Sequence, residues 1–319
     1  MTDTSRTTPV LTRRLVLGGG AALTLTLAAG SRLGLAQTAS ETVSMEGMTR
    51  YQVGSQEVFA LLDGRISLPV GAFSGASEDE LRALIEGQQA VDGFINAYAV
   101  RGPDNLVLVD AGGGSLVGPT AGRIAERLSE VDLDPGDIDV VLATHLHPDH
   151  IGGLIGDTAI DLPEAQLVVH EDEIAFWTSD EMMQQAGEGG AGAFQAARAA
   201  LERFGERVTP IAGSGKVPGG MELIELPGHT PGHTGFYVRD GNEQLLIWGD
   251  IIHAPALQFP RPDVTIAFDV DPEQARATRA RVLDIVTADS IPVAGMHHVF
   301  PGIGQVTAAN EGYSFEPLA

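Results

Sequence analysis

The sequence predicts an α/β fold built in layers, with strands and helices alternating along the chain. Short apolar runs typical of buried strands are separated by longer stretches with helical periodicity. With 319 residues and 43% hydrophobic content, the chain is long enough to bury one large core. Histidine or aspartate follows several of the strand runs, which is where layered α/β folds commonly place their sites. These observations predict one large domain with a site at the ends of its strands.

The elements follow one another in a regular order. Helical patterns cover 118–131, 191–205 and 272–288, and the glycine-rich residues 187–192 are predicted to form a flexible turn before the second of these helices. The recurring pattern of a strand followed by a polar ligand type fits two similar αβ halves that face each other. The predicted strands lie near 58–62, 94–100, 105–109, 138–143, 166–170, 221–226, 244–248 and 291–295.

Residues 1–36 are predicted to be an export signal, and residues 37–319 to be the folded domain. Arg13 and Arg14 precede an apolar, Gly/Ala-rich stretch, and Gly34-Leu35-Ala36 supplies small residues for cleavage, a pattern typical of twin-arginine export. A permanent anchor is the alternative, but the apolar run of about 15 residues is shorter than the ~20 that span a bilayer. We therefore expect a periplasmic or secreted protein that is not stably inserted in a membrane after cleavage.

The composition excludes several functions. The formal net charge is −24, and so acidic a surface repels nucleic acid, anionic lipid and strongly anionic substrates. The chain has no cysteine, which excludes thiol chemistry, and it lacks the Gly-x-Ser-x-Gly elbow of the common serine hydrolases. We expect a small, uncharged substrate.

The most informative motif is His-Leu-His-Pro-Asp-His at residues 145–150. It follows the apolar run 138–144, so it lies where a strand ends and a helix begins. In an extended segment His145 and His147 project to the same side, whereas Asp149 and His150 lie beyond Pro148 and can face a second point. Imidazole and carboxylate are the ligand types that suit zinc and similar ions. The motif predicts two metal sites rather than one.

Three further segments deliver the same ligand types after apolar runs. Gly228-His229-Thr230-Pro231-Gly232-His233 is a Gly/Pro-rich turn that can hold an imidazole rigidly. The run 245–248 leads into Gly249 and Asp250, and the run 291–296 leads into His297 and His298. Four strand ends each carry a potential metal ligand, and this repetition is difficult to explain by solvent-exposed residues without a function.

These motifs, taken in this order, resemble those of the metallo-β-lactamase-fold hydrolases over about residues 50–310. The stretches 95–98, 106–112, 258–265 and 300–304 are more specifically similar to the methyl parathion hydrolase-like branch and the related acyl-homoserine lactonases. The resemblance implies an αβ/βα four-layer sandwich, two divalent metal ions that are generally Zn²⁺, and a homodimer.

The resemblance also implies a ligand set. The first metal is held by His145, His147 and His229, the second by Asp149, His150 and His297, and Asp250 bridges the two. His297 is preferred because the family ligand stands three residues before Phe-Pro-Gly, and its neighbour His298 is the alternative. Supporting roles next to the ligands fall to Asp110 and His233.

The implied activity is hydrolysis by a hydroxide that bridges the two metals. The residues expected to assist catalysis are Asp250, which protonates the leaving oxygen, and His253. His253 stands where the best-known lactonases carry tyrosine, and it either polarises the substrate carbonyl or lines the pocket. We expect the opening of lactone rings, with N-acyl-homoserine lactones (quorum quenching) as the leading substrates. Hydrolysis of organophosphate triesters or aryl esters is the alternative, and a metal-binding protein without turnover is a further one.

Aromatic residues from several segments are expected to wall an apolar pocket over the metals. Such a wall suits an acyl chain or an aryl ester better than a charged substrate. For each of these residues ordinary core packing is the alternative. The residues concerned are Phe73, Phe176, Trp177, Phe194 and Phe259.

Overall fold

Seventeen strands and seven α-helices make up the part of the chain that the computed structural model describes, residues 44–45 and 47–318. The strands are β1 (Ser44–Met45), β2 (Met48–Val53), β3 (Gln56–Pro69), β4 (Phe73–Ser74), β5 (Ala90–Arg101), β6 (Leu106–Val109), β7 (Val140–Leu142), β8 (Gln166–His170), β9 (Val208–Ile211), β10 (Gly215–Lys216), β11 (Glu222–Glu225), β12 (Thr234–Asp240), β13 (Glu243–Ile247), β14 (Thr265–Ile266), β15 (Val293–Ala294), β16 (Ile303–Ala308) and β17 (Tyr313–Pro317). The helices are α1 (Glu78–Leu84), α2 (Ile124–Glu130), α3 (Pro148–Ile151), α4 (Glu171–Thr178), α5 (Asp180–Phe204), α6 (Pro255–Gln258) and α7 (Pro272–Ala288).

Two large sheets organise these elements. The first has the order β1-β2-β3-β5-β6-β7-β8-β9, antiparallel from β1 to β6 and parallel from β6 to β9. The second has the order β10-β11-β12-β13-β15-β16-β17, antiparallel except where β13 and β15 run parallel. A small third sheet pairs β4 with β14. Each large sheet therefore contains parallel neighbours, whose carboxyl ends lie at one edge.

Alternating side chains sort the core into layers. In β6, Leu108 packs with helices α2 and α5 on one face, while Val107 and Val109 pack between the two sheets on the other. In β13, Ile247 belongs to the core between the sheets, and Leu246 packs against α7. The order is helices, sheet, sheet, helix, so the predicted αβ/βα four-layer sandwich is confirmed.

The helices predicted at 118–131 and 191–205 differ from those observed. Helix α2 begins only at Ile124, because Gly118 and Gly122 have φ values of 105° and 94° that a helix does not allow. The prediction of a flexible turn at residues 187–192 is wrong, because α5 runs through these residues and departs from helical geometry only at Gly187. The buried face of α5, which includes Phe194 and Phe204, offsets the low helix propensity of its glycines.

The other predicted elements have counterparts in the structure, and α7 has the predicted bounds of 272–288. The sequence pattern did not reveal β10, β12, β16 and β17 of the second sheet, nor β1, β2 and β9 of the first. The export signal predicted at residues 1–36 lies outside the described residues. Among the residues that are described, no helix is both long and apolar enough to cross a bilayer.

Candidate metal centre

The segment after β7 presents its histidines as the extended backbone dictates. His147 is the N-cap of α3, with φ −68° and ψ 151°, and Pro148 begins the helix. His145 and His147 therefore lie on the same side, with His145 Nε2 and His147 Nδ1 2.9 Å apart. The short helix then turns Asp149 and His150 toward a second point.

A first ligand group forms around these two imidazoles. His229, from the turn after β11, places Nε2 2.9 Å from His147 Nδ1. Asp250, from the turn after β13, places Oδ2 3.3 Å from His229 Nε2 and 3.7 Å from His145 Nε2. Donor atoms from four residues of both sheets thus converge on one point.

A second group lies on the other side of Asp250. Asp149 Oδ2 is 3.7 Å from His150 Nε2 and 3.4 Å from His297 Nε2. The Oδ2 atom of Asp250 is also 3.2 Å from His150 Nε2 and 3.1 Å from His297 Nε2. One carboxylate oxygen therefore stands between the two groups, as a bridging ligand would.

The structure separates His297 from its neighbour His298. The ring of His297 faces Asp250, and its Nδ1 donates to the carbonyl of Phe94 at 2.7 Å. The ring of His298 points into the core, where it meets Trp248 and Phe315. Only His297 is placed to bind a metal with the other ligands.

Hydrogen bonds fix which nitrogen of His145, His150 and His229 faces the centre. His150 Nδ1 donates to Asp110 at 2.7 Å, and His229 Nδ1 donates to Asp269 at 2.9 Å. His145 Nδ1 lies 3.1 Å from the Thr144 hydroxyl, which itself donates to Asp110. With Nδ1 protonated in this way, the Nε2 lone pairs point at the centre, as metal ligation requires.

The donor set fits divalent cations. His145 Nε2 and His229 Nε2 each lie 2.9 Å from His147 Nδ1, so these three nitrogens cannot all carry protons, whereas a cation satisfies them together. His150 Nε2 and Asp250 Oδ1 are buried and make no aligned hydrogen bond within the described part of the chain. His147 and Asp149 remain partly exposed, so the centre is reached from their side.

The charges within this cluster are strongly coupled. Burial, and then repulsion from His150, lowers the pKa of His145 well below its ordinary value. Burial would raise the pKa of Asp250, but His150 and His297 hold it well below its usual range. Burial would also lower the pKa of His150, but the carboxylates of Asp250 and Asp149 raise it well above. A bound cation competes with the proton that these carboxylates attract.

The structure places both predicted supporting residues behind the ligands. Asp110 accepts hydrogen bonds from His150 and from the backbone and hydroxyl of Thr144. His233 accepts from the Asp250 backbone N–H at 2.9 Å through Nε2 and donates through Nδ1 to the Leu226 carbonyl. His233 therefore holds the turn that carries the bridging carboxylate.

His253 lies at the edge of the second group. Its Nε2 is 3.2 Å from Asp250 Oδ2, and its ring stacks on that of His297 with centroids 5.4 Å apart. Burial lowers the pKa of His253 to about 4, so the ring is neutral near pH 7. Neither ring nitrogen makes an aligned hydrogen bond within the described residues. His253 thus stands beside the carboxylate that lies between the two ligand groups.

The aromatic residues predicted to wall the pocket divide into three sets. Trp177 packs edge-on against His147 with centroids 5.3 Å apart, and Phe176 and Phe194 pack around Trp177. Phe73 belongs to a hydrophobic cluster that includes Ala254, the residue after His253 in the sequence. Phe259 lies in the core against Trp248 and Phe315. Because Phe73, Trp177 and Phe194 are as deeply buried in hydrophobic clusters as Phe259, core packing, the alternative, applies to all four.

Sequence reasoning missed two groups that orient ligands. One is Asp269, which binds His229 through Oδ1 and the backbone N–H of Ile266 through Oδ2. The other is the Phe94 carbonyl, which binds His297. Nothing near Asp269 or Phe94 in the sequence marks them, because both contacts join residues distant along the chain. His170 caps α4 through Nδ1 and belongs to neither ligand group.

Comparison with known proteins places this arrangement in a family. The chain matches the sequence model described as the metallo-beta-lactamase superfamily over residues 90–291. It is 28% identical over 210 residues to hydroxyacylglutathione hydrolase GloC of Haemophilus influenzae, covering 65% of this chain and 86% of that protein.

Solved structures agree with this assignment. The hydrolase AbOPH, of the beta-lactamase superfamily, aligns with a TM-score of 0.81 and 28% identity, covering 86% of this chain and 98% of that one. AidC, a dizinc quorum-quenching lactonase solved with a product, aligns with a TM-score of 0.79 and 24% identity, covering 85% and 97%, a likeness of fold. The family match spans more than half of the sequence, and the described ligand groups lie where the fold brings strand ends together. The chain therefore belongs to the metallo-beta-lactamase superfamily and is a hydrolase of that superfamily.

Proposed function

We propose that this hydrolase opens lactone rings, with N-acyl-homoserine lactones as the leading substrates, at a centre of two zinc ions. The observation that carries the proposal is the position of Asp250 Oδ2, within 3.1–3.3 Å of ring nitrogens from both ligand groups. The first ion would be held by His145, His147 and His229, and the second by Asp149, His150 and His297. When bound, the metals would supply an activated water and polarise the ester oxygen.

The chain's own residues supply the remaining steps. His253 is a neutral imidazole beside Asp250, and an N–H of its ring would donate a hydrogen bond to the substrate carbonyl as negative charge develops there. Asp250 Oδ1, which lacks a hydrogen-bond partner in the described structure, can carry a proton to the leaving oxygen. The ester C–O bond breaks, the water oxygen bonds to the carbonyl carbon, and the leaving oxygen takes up a proton. The product is a hydroxy acid.

The substrate class follows from charge and from the comparisons. A net charge of −24 disfavours anionic substrates, whereas an N-acyl lactone is uncharged. The fold is shared with a lactonase that was solved with its product. We further propose that the protein is exported to the periplasm or secreted and acts there as a dimer, with an export signal at residues 1–36.

A matched substrate panel tests this function. Purified zinc-loaded protein is assayed for kcat/KM on N-hexanoyl-homoserine lactone, a dimethyl aryl phosphotriester and S-lactoylglutathione, the last because of the similarity to a hydroxyacylglutathione hydrolase. We expect the lactone to give the highest value and His147→Ala to reduce it at least ~100-fold. A lactone value a hundredfold below either other substrate would refute the assignment, and so would unchanged turnover in H147A.

A further inference from the structure

A buried carboxylate behind the metal centre joins two of its loops. Glu173 lies in the first turn of α4 and is fully buried. It accepts three hydrogen bonds, from the backbone N–H of Leu146 at 3.0 Å, the backbone N–H of Gly232 at 2.9 Å and Trp177 Nε1 at 2.7 Å. Both carboxylate oxygens are therefore used: Oε1 accepts from Gly232, and Oε2 accepts from Leu146 and Trp177.

The two backbone donors belong to the loops that carry the first ligand group. Leu146 stands between His145 and His147. Gly232 lies in the turn that begins at His229 and ends at His233. One side chain thus connects a loop of the first sheet with a loop of the second, directly behind the three imidazoles.

The close approach of these elements depends on Gly232. A Cβ there would lie 2.7 Å from the backbone nitrogen of Glu173 and 2.8 Å from His170 Nδ1, closer than side-chain carbons are found. The turn therefore sits directly on the N-terminus of α4. Trp177, one turn further along this helix, holds the third hydrogen bond and packs its ring edge-on against His147.

We propose that Glu173 is a positioning residue, which fixes the distance between the His145–His147 loop and the His229 turn and thereby sets the metal affinity of the first group. The inference rests on the two-metal centre proposed above. The second group does not depend on Glu173 in the same way, because Asp149 and His150 are held by α3 and Asp110. Glutamine cannot replace Glu173 here, because its amide has only one acceptor oxygen and would turn its NH₂ group toward an N–H donor.

The test separates the two groups by mutation. In a His297→Ala background, which disables the second group, zinc affinity of the first group is measured by competition with a chromophoric chelator, with and without Glu173→Gln. We expect E173Q to weaken zinc binding there by roughly 10–100-fold, the range for residues that orient ligands. In a His147→Ala background, which disables the first group, E173Q should leave zinc binding by the second group within about twofold of its parent, because Glu173 touches neither Asp149 nor His297 in the described structure.

A neighbouring residue provides the matched control. Glu171→Gln makes the same charge change in the same helical turn, but Glu171 is exposed and should leave both affinities unchanged. Unchanged affinity of the first group in E173Q, or equal loss in both backgrounds, would overturn the proposal. If E173Q is obtained only unfolded, the shorter but charged Glu173→Asp replaces it, and the same outcomes apply. Absence of lactone turnover in the wild type would refute the proposed function but would not affect this result.

Discussion

At the scale of single residues, the direction of each hydrogen bond decides what a histidine can do. His150, His229 and His297 each commit Nδ1 to an oxygen of the protein, which leaves Nε2 for the centre. His233 uses both nitrogens within the protein, donating to Leu226 and accepting from Asp250. The hydrogen-bond partners of a histidine thus determine whether one of its ring nitrogens faces the ligand groups or both are used elsewhere in the protein, although the side chains are chemically identical.

His298 provides a test of how burial acts on one imidazole. Burial, and then repulsion from His297, lowers the pKa of His298 to about 3, far below the ~6.5 of an unfolded chain. Because the folded state excludes the proton, the stability that neutral His298 contributes is present above pH 6.5 and is lost as the pH falls toward 3. Because the proton binds only the unfolded state, the free energy of unfolding is about 2 kcal/mol lower at pH 5 than at neutral pH.

We therefore expect the free energy of unfolding to fall less in His298→Leu than in the wild type between pH 7 and pH 5, by about 2 kcal/mol. Urea unfolding of the metal-free proteins at both pH values measures this difference, and it does not depend on the absolute stability of the variant. An identical pH dependence in the two proteins would contradict the assignment of His298 as a neutral, buried ring.

At the scale of elements, the short helix α3 is held by close backbone packing. The backbone N–H of Ala111 donates to the His150 carbonyl at 2.7 Å, and that of Gly153 donates to the Gly112 carbonyl at 3.1 Å. A Cβ at Gly153 would lie 2.0 Å from the Ala111 carbonyl oxygen. The turn that follows α3 can therefore lie this close to the turn after β6 only because residues 152 and 153 are both glycine.

Gly153→Ala should force α3 away from this turn and displace Asp149 and His150. We expect a loss of more than ~2 kcal/mol of unfolding free energy, with one zinc bound per chain instead of two. Chemical denaturation and metal analysis after dialysis measure the two effects.

Gly189→Ala is the control for Gly153→Ala. Gly189 lies exposed in α5 with open space around its Cα, so alanine there should stabilise by about 0.5–1 kcal/mol through helix propensity. Equal stability changes for the two substitutions would show that close packing at residue 153 is not what matters.

At the scale of the whole molecule, the ligand loops come from both sheets. Residues 145–150 follow β7 of the first sheet, whereas His229, Asp250 and His297 follow β11, β13 and β15 of the second. Metal ions held between these loops would link the two sheets, in addition to the apolar core that packs between them. Metal binding should therefore stabilise the folded domain in addition to supporting hydrolysis.

Removal and return of metal tests this coupling. We expect chelator treatment to abolish hydrolysis and to lower Tm by roughly 10 °C, because binding at 1,000 times Kd is worth about 4 kcal/mol. Added zinc should restore both. The control is His147→Ala, whose Tm should respond less to zinc because the first ligand group is incomplete. Loss of activity with an unchanged Tm would mean that the metals do not join the two sheets.

The sequence alone was sufficient for the layered α/β fold and for the ligand types at four strand ends. The spacing of His145, His147, Asp149 and His150 is local, so backbone geometry determined on which side each projects. The course of α5 depends on partners distant along the chain, because its apolar face packs on the first sheet and carries the helix through its glycines. Strand β12 was also not predicted, although its partners β11 and β13 are its neighbours in the sequence.

Only the tertiary structure decided between residues that look alike in sequence. His297 and His298 are adjacent and chemically identical, but the first meets Asp250 and the second meets Trp248, since neighbouring side chains project in different directions. Asp269 and Glu173 carry no local motif, and their roles arise from hydrogen bonds to residues 40, 27 and 59 positions away. The sequence determined which chemical groups are available, and folding determined which of them face one another, because that depends on contacts that no local pattern encodes.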